Sequence, residues 1–283
     1  MPKAASPADP LWTPARSTLP GRILLAIGVA ALGVQSLLHA DFVSSLQPVP
    51  SSLPARRILA CLIGIFLVIM AIGHLSKRHV RLAAIGLGAM TLLWLLVIHL
   101  PRLAVHPTSM GAWVVACETA ALCGAAWVLV GTLSPGGKAG SSRITAGAAV
   151  VGRILFGLSL LLFGLSHFRY HDLVASLVPA WIPGRPFWAY FTGAAHVAAG
   201  VSLLTNVMAP LAATLYGIML GLFALLVNGP RAVNLNQPAE WDSLFVAVAL
   251  SGAAWIIAGC LRNPHALPAD SAAAASVPNT PSL

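Results

Sequence analysis

The chain has 283 residues, of which 58% are hydrophobic and 8% charged, and its mean hydropathy is +0.86. A soluble domain needs roughly 25% charged residues to cover its surface, so this composition excludes a soluble globule and indicates an integral membrane protein. The net charge of +9 does not indicate nucleic-acid binding, because no basic run is longer than a pair such as Lys77-Arg78. Basic residues spread over loop ends instead orient membrane spans.

Apolar stretches of about 20 residues recur along the chain, and this length crosses a bilayer core. They predict an all-α, polytopic membrane protein with eight transmembrane helices, at residues 22–38, 57–75, 81–100, 111–131, 150–168, 187–204, 208–228 and 241–261. The flanking residues 1–20 and 263–283 are rich in Ala, Pro and Ser and are predicted to be disordered tails. No secretory signal peptide is expected in residues 1–20, which lack a short apolar core.

Residues 132–149 form a predicted flexible linker between two copies of one unit, here called the first unit (21–131) and the second unit (150–262). Gly21-Arg22-Ile23-Leu24 recurs as Gly152-Arg153-Ile154-Leu155, at an offset of 131. Further matches follow in order, at offsets that fall to 129 and 128 where loops differ: Gly64 with Gly193, Pro101-Arg102 with Pro230-Arg231, and Gly124-Ala125-Ala126-Trp127 with Gly252-Ala253-Ala254-Trp255. Each unit has an even number of spans, which predicts two parallel four-helix bundles.

The distribution of Lys and Arg predicts the orientation. If the N-terminus is cytoplasmic, ten of the 16 Lys and Arg residues lie on the inner side and six on the outer side. The positive-inside rule then favours a multi-pass protein of the cytoplasmic (inner) membrane with both termini in the cytoplasm.

Two polar residues inside predicted spans need a reason, because polar groups are costly in lipid. His196 lies in the sixth span and Glu118 in the fourth, and they align with Leu67 and Val246 of the other unit. A group present in only one copy indicates one specialised site that carries protons or binds a ligand. The alternative is that each side chain only fixes helix packing through a hydrogen bond.

The segment Ser166–Asp172, at the predicted outer end of the fifth span, is dense in titratable residues. His167 and His171 are four residues apart, which suits a metal pair on one helix face, but no third ligand is specified, so no metal site is predicted. A bis-histidine haem would pair His167 with His196, and their predicted depths do not match. A wet interfacial cluster is the simpler interpretation.

Aromatic residues cluster where the sixth span meets the predicted outer surface, namely Trp181, Phe187, Trp188, Tyr190 and Phe191. An interfacial aromatic belt explains them. They are also placed to line a lateral pocket that leads inward to His196.

The second unit resembles the DoxX family of small four-helix membrane proteins. The resemblance rests on Gly152-Arg153, Phe163-Gly164, Ser166-His167-Phe168, the loop Leu177–Pro183, Thr192-Gly193-Ala194-Ala195-His196, Ala199-Gly200 and Asn228-Gly229-Pro230. It implies a cytoplasmic-membrane protein linked to quinone-coupled redox work, as in the DoxD-type subunit of thiosulfate:quinone oxidoreductase. In related sequences the position of His196 is often acidic, so this chain departs from them there.

Together these features predict a quinone as cofactor, a soluble or membrane-bound redox protein and membrane lipid as partners, and a site in the second unit. His196 and Glu118 are the candidate catalytic residues, and the candidate ring-binding residues are His167, Arg169, Trp181, Trp188, Asn228 and Arg231. Histidine suits this role because its ordinary titration range lies near neutral pH. A non-catalytic scaffold for partner enzymes remains an alternative, as does a small-solute carrier, although no span has a Gly- or Pro-interrupted centre in both copies.

Overall fold

The computed structural model describes residues 17–133 and 143–262 of the chain. This part is helical, with eight helices long and apolar enough to cross a membrane, so the predicted all-α, eight-span fold is confirmed. We number the long helices α1 to α8. They are Leu19–His39, Arg56–Leu75, Val80–Val105, Met110–Thr132, Arg143–Arg169, Arg185–Thr205, Ala209–Leu235 and Pro238–Leu261. A short helix, His171–Leu177, lies between α5 and α6.

Helices α3 and α7 extend beyond their predicted ends at residues 100 and 228. Each contains a π-helical turn, at Leu95–His99 in α3 and Ala224–Asn228 in α7. The N–H of Leu100 bonds to the carbonyl of Leu95, and the N–H of Gly229 to that of Ala224. The prolines at 101 and 230 cannot donate a backbone hydrogen bond, and the wider turn precedes them without ending the helix.

Helix α5 begins at Arg143, inside the segment predicted to be a linker. Helical structure also begins at Leu19, inside the predicted N-terminal tail. The rest of that tail up to residue 16, linker residues 134–142 and the tail 263–283 lie outside the described residues.

The fourth helix of each unit packs against the first helix of the other unit. Helix α4 makes its most extensive contacts with α5, and α8 makes its most extensive contacts with α1. Helices α4 and α8 also contact each other. These two helices are the most enclosed of the eight membrane-spanning helices. The two four-helix units therefore share α4 and α8 at the centre of the molecule.

Close helix crossings occur at equivalent positions of the two units. A Cβ atom on Gly252 of α8 would lie 2.7 Å from the carbonyl oxygen of Gly21 in α1, and Gly124 of α4 meets Gly152 of α5 in the same way. Small residues let helix backbones approach this closely. The Arg22 Nε donates to the carbonyl of His74 at 2.8 Å, and the aligned Arg153 donates to that of Leu203. These contacts lie at positions that the predicted duplication aligns with each other.

Candidate functional site

A cavity of about 770 Å³ lies in the second unit, between α5, α6, α7 and the segment that joins α5 to α6. Its wall is mostly aliphatic and aromatic. Five side chains with polar groups interrupt this wall, and they are His167, Trp188, Thr192, Tyr216 and Asn228. A pocket of this size that is mainly apolar with a few polar groups is typical of a small-molecule site.

At three positions of the cavity wall, α6 carries an alanine where α2 carries a large side chain. Three alanines of α6 line it, and at the offset of 129 they align with bulky residues of the first unit: Ala195 with Phe66, Ala198 with Ile69, and Ala199 with Met70. The second unit lacks the volume of these three large side chains, and its alanines leave that space open.

The cavity opens sideways, towards the region that lipid occupies. Phe191 of α6 and Leu215 and Leu222 of α7 line it while 51%, 57% and 47% exposed, respectively. These apolar residues lie well inside the two membrane-spanning helices. A ligand dissolved in the bilayer would therefore enter between α6 and α7 without crossing water.

A cluster of three side chains leads inward from the cavity wall. The His167 and His196 ring centroids are 4.6 Å apart, and those of His196 and Tyr216 are 5.2 Å apart. His196 and Tyr216 are each 3% exposed. Among the described residues, neither His196 ring nitrogen nor the Tyr216 hydroxyl has a hydrogen-bond partner. Buried polar atoms without partners are rare and costly, so hydrogen bonds from a bound molecule would stabilise this cluster.

The ring of His167 is held in one tautomer. Its Nδ1 lies 2.8 Å from the carbonyl oxygen of Phe163, one helical turn earlier. A carbonyl only accepts, so Nδ1 carries the proton and Nε2 is the acceptor of the neutral ring. His167 can thus accept a hydrogen bond from a hydroxyl group in the cavity.

The structure brings some of the predicted site residues together and leaves others apart. His167, Trp188 and Asn228 line the cavity, and His196 lies directly behind His167. Trp181 is 72% exposed, and the Arg169 guanidinium stacks on the Tyr170 ring outside the lining. Arg231 forms a bidentate ion pair with Glu240, with N–O distances of 3.0 and 2.6 Å.

The predicted mismatch in depth between His167 and His196 is wrong, because their rings touch. His167 lies near the C-terminal end of α5, and His196 lies eleven residues after the start of α6. Because the start of α6 extends beyond the end of α5 on that side of the molecule, the two rings lie at the same depth. Direct contact between the rings still argues against haem, since axial ligands must lie on opposite faces of an iron atom. Within the described residues, no group of three or more His, Cys, Asp or Glu side chains could hold a metal ion.

Glu118 lies on α4, which belongs to the first unit but packs against α5 of the second. Its side chain is not among those that line the cavity.

The second unit matches a known family. Residues 148–229 match the family model DoxX. The chain carries a DoxX domain. This domain runs from α5 to the end of the π turn in α7, and it contains His167, His196 and Tyr216. No curated protein and no solved structure shows significant similarity to the chain.

Analysis of the sequence missed Tyr216 and the three alanines of α6 that line the cavity. The duplication carried the signal for both. Tyr216 aligns with Leu87 at the same offset of 129 that pairs Ala195 with Phe66. Comparing the two units position by position for lost volume and gained polarity would have found the site.

Proposed function

We propose that the DoxX domain binds a quinone-like ring from the membrane, as part of a membrane redox system. The observation that carries this proposal is an apolar cavity, open towards lipid, beside two buried polar side chains without partners, His196 and Tyr216. A quinone has an apolar ring and tail with two polar oxygens, and this cavity offers the same combination of surfaces.

The cavity side chains provide complementary hydrogen-bonding groups. The Asn228 amide and the Tyr216 hydroxyl can donate to a quinone carbonyl, whereas Nε2 of His167 can accept from the hydroxyl of the reduced ring. Trp188 and Phe223 line the same space and provide aromatic faces. The isoprenoid tail would leave between α6 and α7, where the lining is aliphatic.

The two rival functions have weaker support. A carrier of parallel repeats would place its site near the membrane centre at interrupted helices, whereas α3 and α7 continue through their π turns. A scaffold would need neither the cavity nor the polar cluster beside it. We keep a soluble or membrane-bound redox protein as the proposed partner, and the cytoplasmic membrane with both termini inside as the proposed location.

Substituting His167 tests the assigned role of its ring. We expect His167→Leu to weaken binding of a short-chain quinone about tenfold or more, because losing a hydrogen bond in an apolar site costs about 1–3 kcal/mol. Quenching of tryptophan fluorescence by the quinone measures this affinity, with Trp188 in the cavity wall as a local reporter.

His171→Leu is the matched control. His171 stacks on Tyr190 at 5.3 Å and does not line the cavity. It should keep the affinity of the unsubstituted chain. Equal affinities for the unsubstituted protein and both variants would remove His167 from the site.

A further inference from the structure

The turn that joins α2 to α3, residues 76–79, is rich in basic side chains, and we call it the basic turn. Lys77 and Arg78 are exposed on it, and Arg81 follows in the first turn of α3. The Nε of Arg81 is buried and has no hydrogen-bond partner among the described residues. A guanidinium group carries only donors, so a ligand that supplies acceptor oxygens would complete its hydrogen bonding.

Hydrogen bonds hold the backbone of the basic turn. The Ser76 Oγ accepts from the N–H groups of Arg78 and His79, both at 3.2 Å. Arg22 of α1 donates from Nη2 to the carbonyl oxygen of Ser76, also at 3.2 Å. Groups on a backbone that is already ordered lose less conformational freedom when they bind a ligand. The basic side chains are therefore attached to a turn that is prepared for binding.

The acidic side chains lie far from the basic turn. Within residues 17–133 and 143–262, Glu118 lies inside α4, and the other acidic residues lie beside connections that follow odd-numbered helices, namely Asp41, Asp172, Glu240 and Asp242. The basic turn follows α2, an even-numbered helix. Because the helices cross the membrane one after another, the turn and these four residues lie at opposite ends of the bundle. No acidic side chain of the described ranges therefore neutralises the turn.

The equivalent turn of the second unit, residues 206–208 between α6 and α7, shows the level at which the basic turn lies. The same arginine–carbonyl contact holds each turn to the first helix of its unit, so both lie at one level. At the offset of 129, Lys77 and Arg78 align with Asn206 and Val207. Val207 and Met208 are 64% and 66% exposed. Apolar side chains this exposed contact lipid, which places both turns at the level of the lipid headgroups.

We propose that the basic turn binds the headgroup of an anionic phospholipid. The phosphodiester oxygens carry negative charge and accept hydrogen bonds, so Lys77, Arg78 and the Nε of Arg81 would each gain a partner. Basic clusters at a membrane surface attract anionic lipids in this way. The proposal goes beyond the general contact of apolar helices with lipid, because the turn selects the lipid by its charge. It depends neither on quinone binding nor on which side of the membrane the turn faces.

Native mass spectrometry of the full-length protein tests the proposal, after release from nanodiscs with equal amounts of phosphatidylglycerol and phosphatidylcholine. We expect the protein to retain phosphatidylglycerol over phosphatidylcholine by about fivefold or more, the attraction that one Lys or Arg exerts near an anionic surface. In Lys77→Asn/Arg78→Val the basic turn carries the aligned residues of the second unit. This variant should retain the two lipids nearly equally.

The matched control is Arg57→Asn/Arg102→Val, which removes the same charge from exposed positions at the opposite end of the bundle. Its preference for phosphatidylglycerol should persist. The converse variant, Asn206→Lys/Val207→Arg, should retain additional phosphatidylglycerol, because it creates a second basic turn at the same level. Equal retention of both lipids by the unsubstituted protein would overturn the proposal. An unchanged preference in Lys77→Asn/Arg78→Val, or no gain in the converse variant, would do the same.

Discussion

Filling the cavity with side chains of the first unit will abolish quinone binding. In Ala195→Phe/Ala199→Met, α6 carries the residues found at the aligned positions of α2, where the first unit has Phe66 and Met70. The new side chains occupy the space of the ring. A ligand at 100 times its Kd stabilises the folded state by about 2.7 kcal/mol, and this gain should disappear from thermal unfolding measured with and without a short-chain quinone.

The control for the filled cavity is Ala194→Phe, because residue 194 is exposed and is not part of the cavity lining. It should keep the full stabilisation by quinone. The double variant should unfold, without quinone, at a temperature no lower than the unsubstituted protein, since its added side chains enter open space. If quinone stabilised the filled variant as strongly as the control, the ligand would bind elsewhere.

The substitution Gly252→Leu will destabilise the whole molecule. A Cβ atom on Gly252 would lie 2.7 Å from the carbonyl oxygen of Gly21 and 2.8 Å from the Cα of Leu25. These are backbone atoms of α1 that cannot rotate away. Overpacking costs typically about 1–3 kcal/mol in cores that can adjust, and we expect a cost at or above the top of that range here. Thermal unfolding followed by size-exclusion chromatography in detergent measures it.

The matched control is Gly111→Leu, near the start of α4. A Cβ atom on Gly111 would meet nothing within 4 Å, so this variant should unfold close to the temperature of the unsubstituted protein. Similar unfolding temperatures for Gly252→Leu and the unsubstituted protein would show that α8 and α1 do not pack as closely as described.

The eight spans were predictable because each is a long apolar run, which lipid requires of any membrane-crossing helix. Their ends were less predictable. The third and seventh spans continue past Pro101 and Pro230, although proline commonly ends a helix. The π turns before these prolines depend on how each helix packs, which hydropathy does not report.

The sequence placed His167, Trp188 and Asn228 near one another through the resemblance and the outer-end clustering, and the structure gathers all three in one wall. Arg231 was not predictable in the same way. Its role depends on whether Glu240 lies beside it in the folded chain. In the structure the Arg231 guanidinium donates to both Glu240 carboxylate oxygens and is not directed at the cavity.

The position of Glu118 was beyond reach of the sequence for a different reason. The duplication assigned α4 to the first bundle, and nothing in the helix itself indicated that it would pack against α5. The packing of α4 on α5 and of α8 on α1 follows from the close helix crossings at Gly124 and Gly252. A glycine in an apolar helix does not show in the sequence which other helix it contacts.

The most direct test of quinone binding by this protein is mass spectrometry of an organic extract from the purified full-length chain. We predict quinone in a stoichiometric amount, and its loss from the His196→Leu variant, which carries the leucine found at the aligned position of the first unit. An extract of the unsubstituted protein that contained only bulk phospholipid would contradict the proposal. Quinone retained unchanged in His196→Leu would place the binding site away from this cluster.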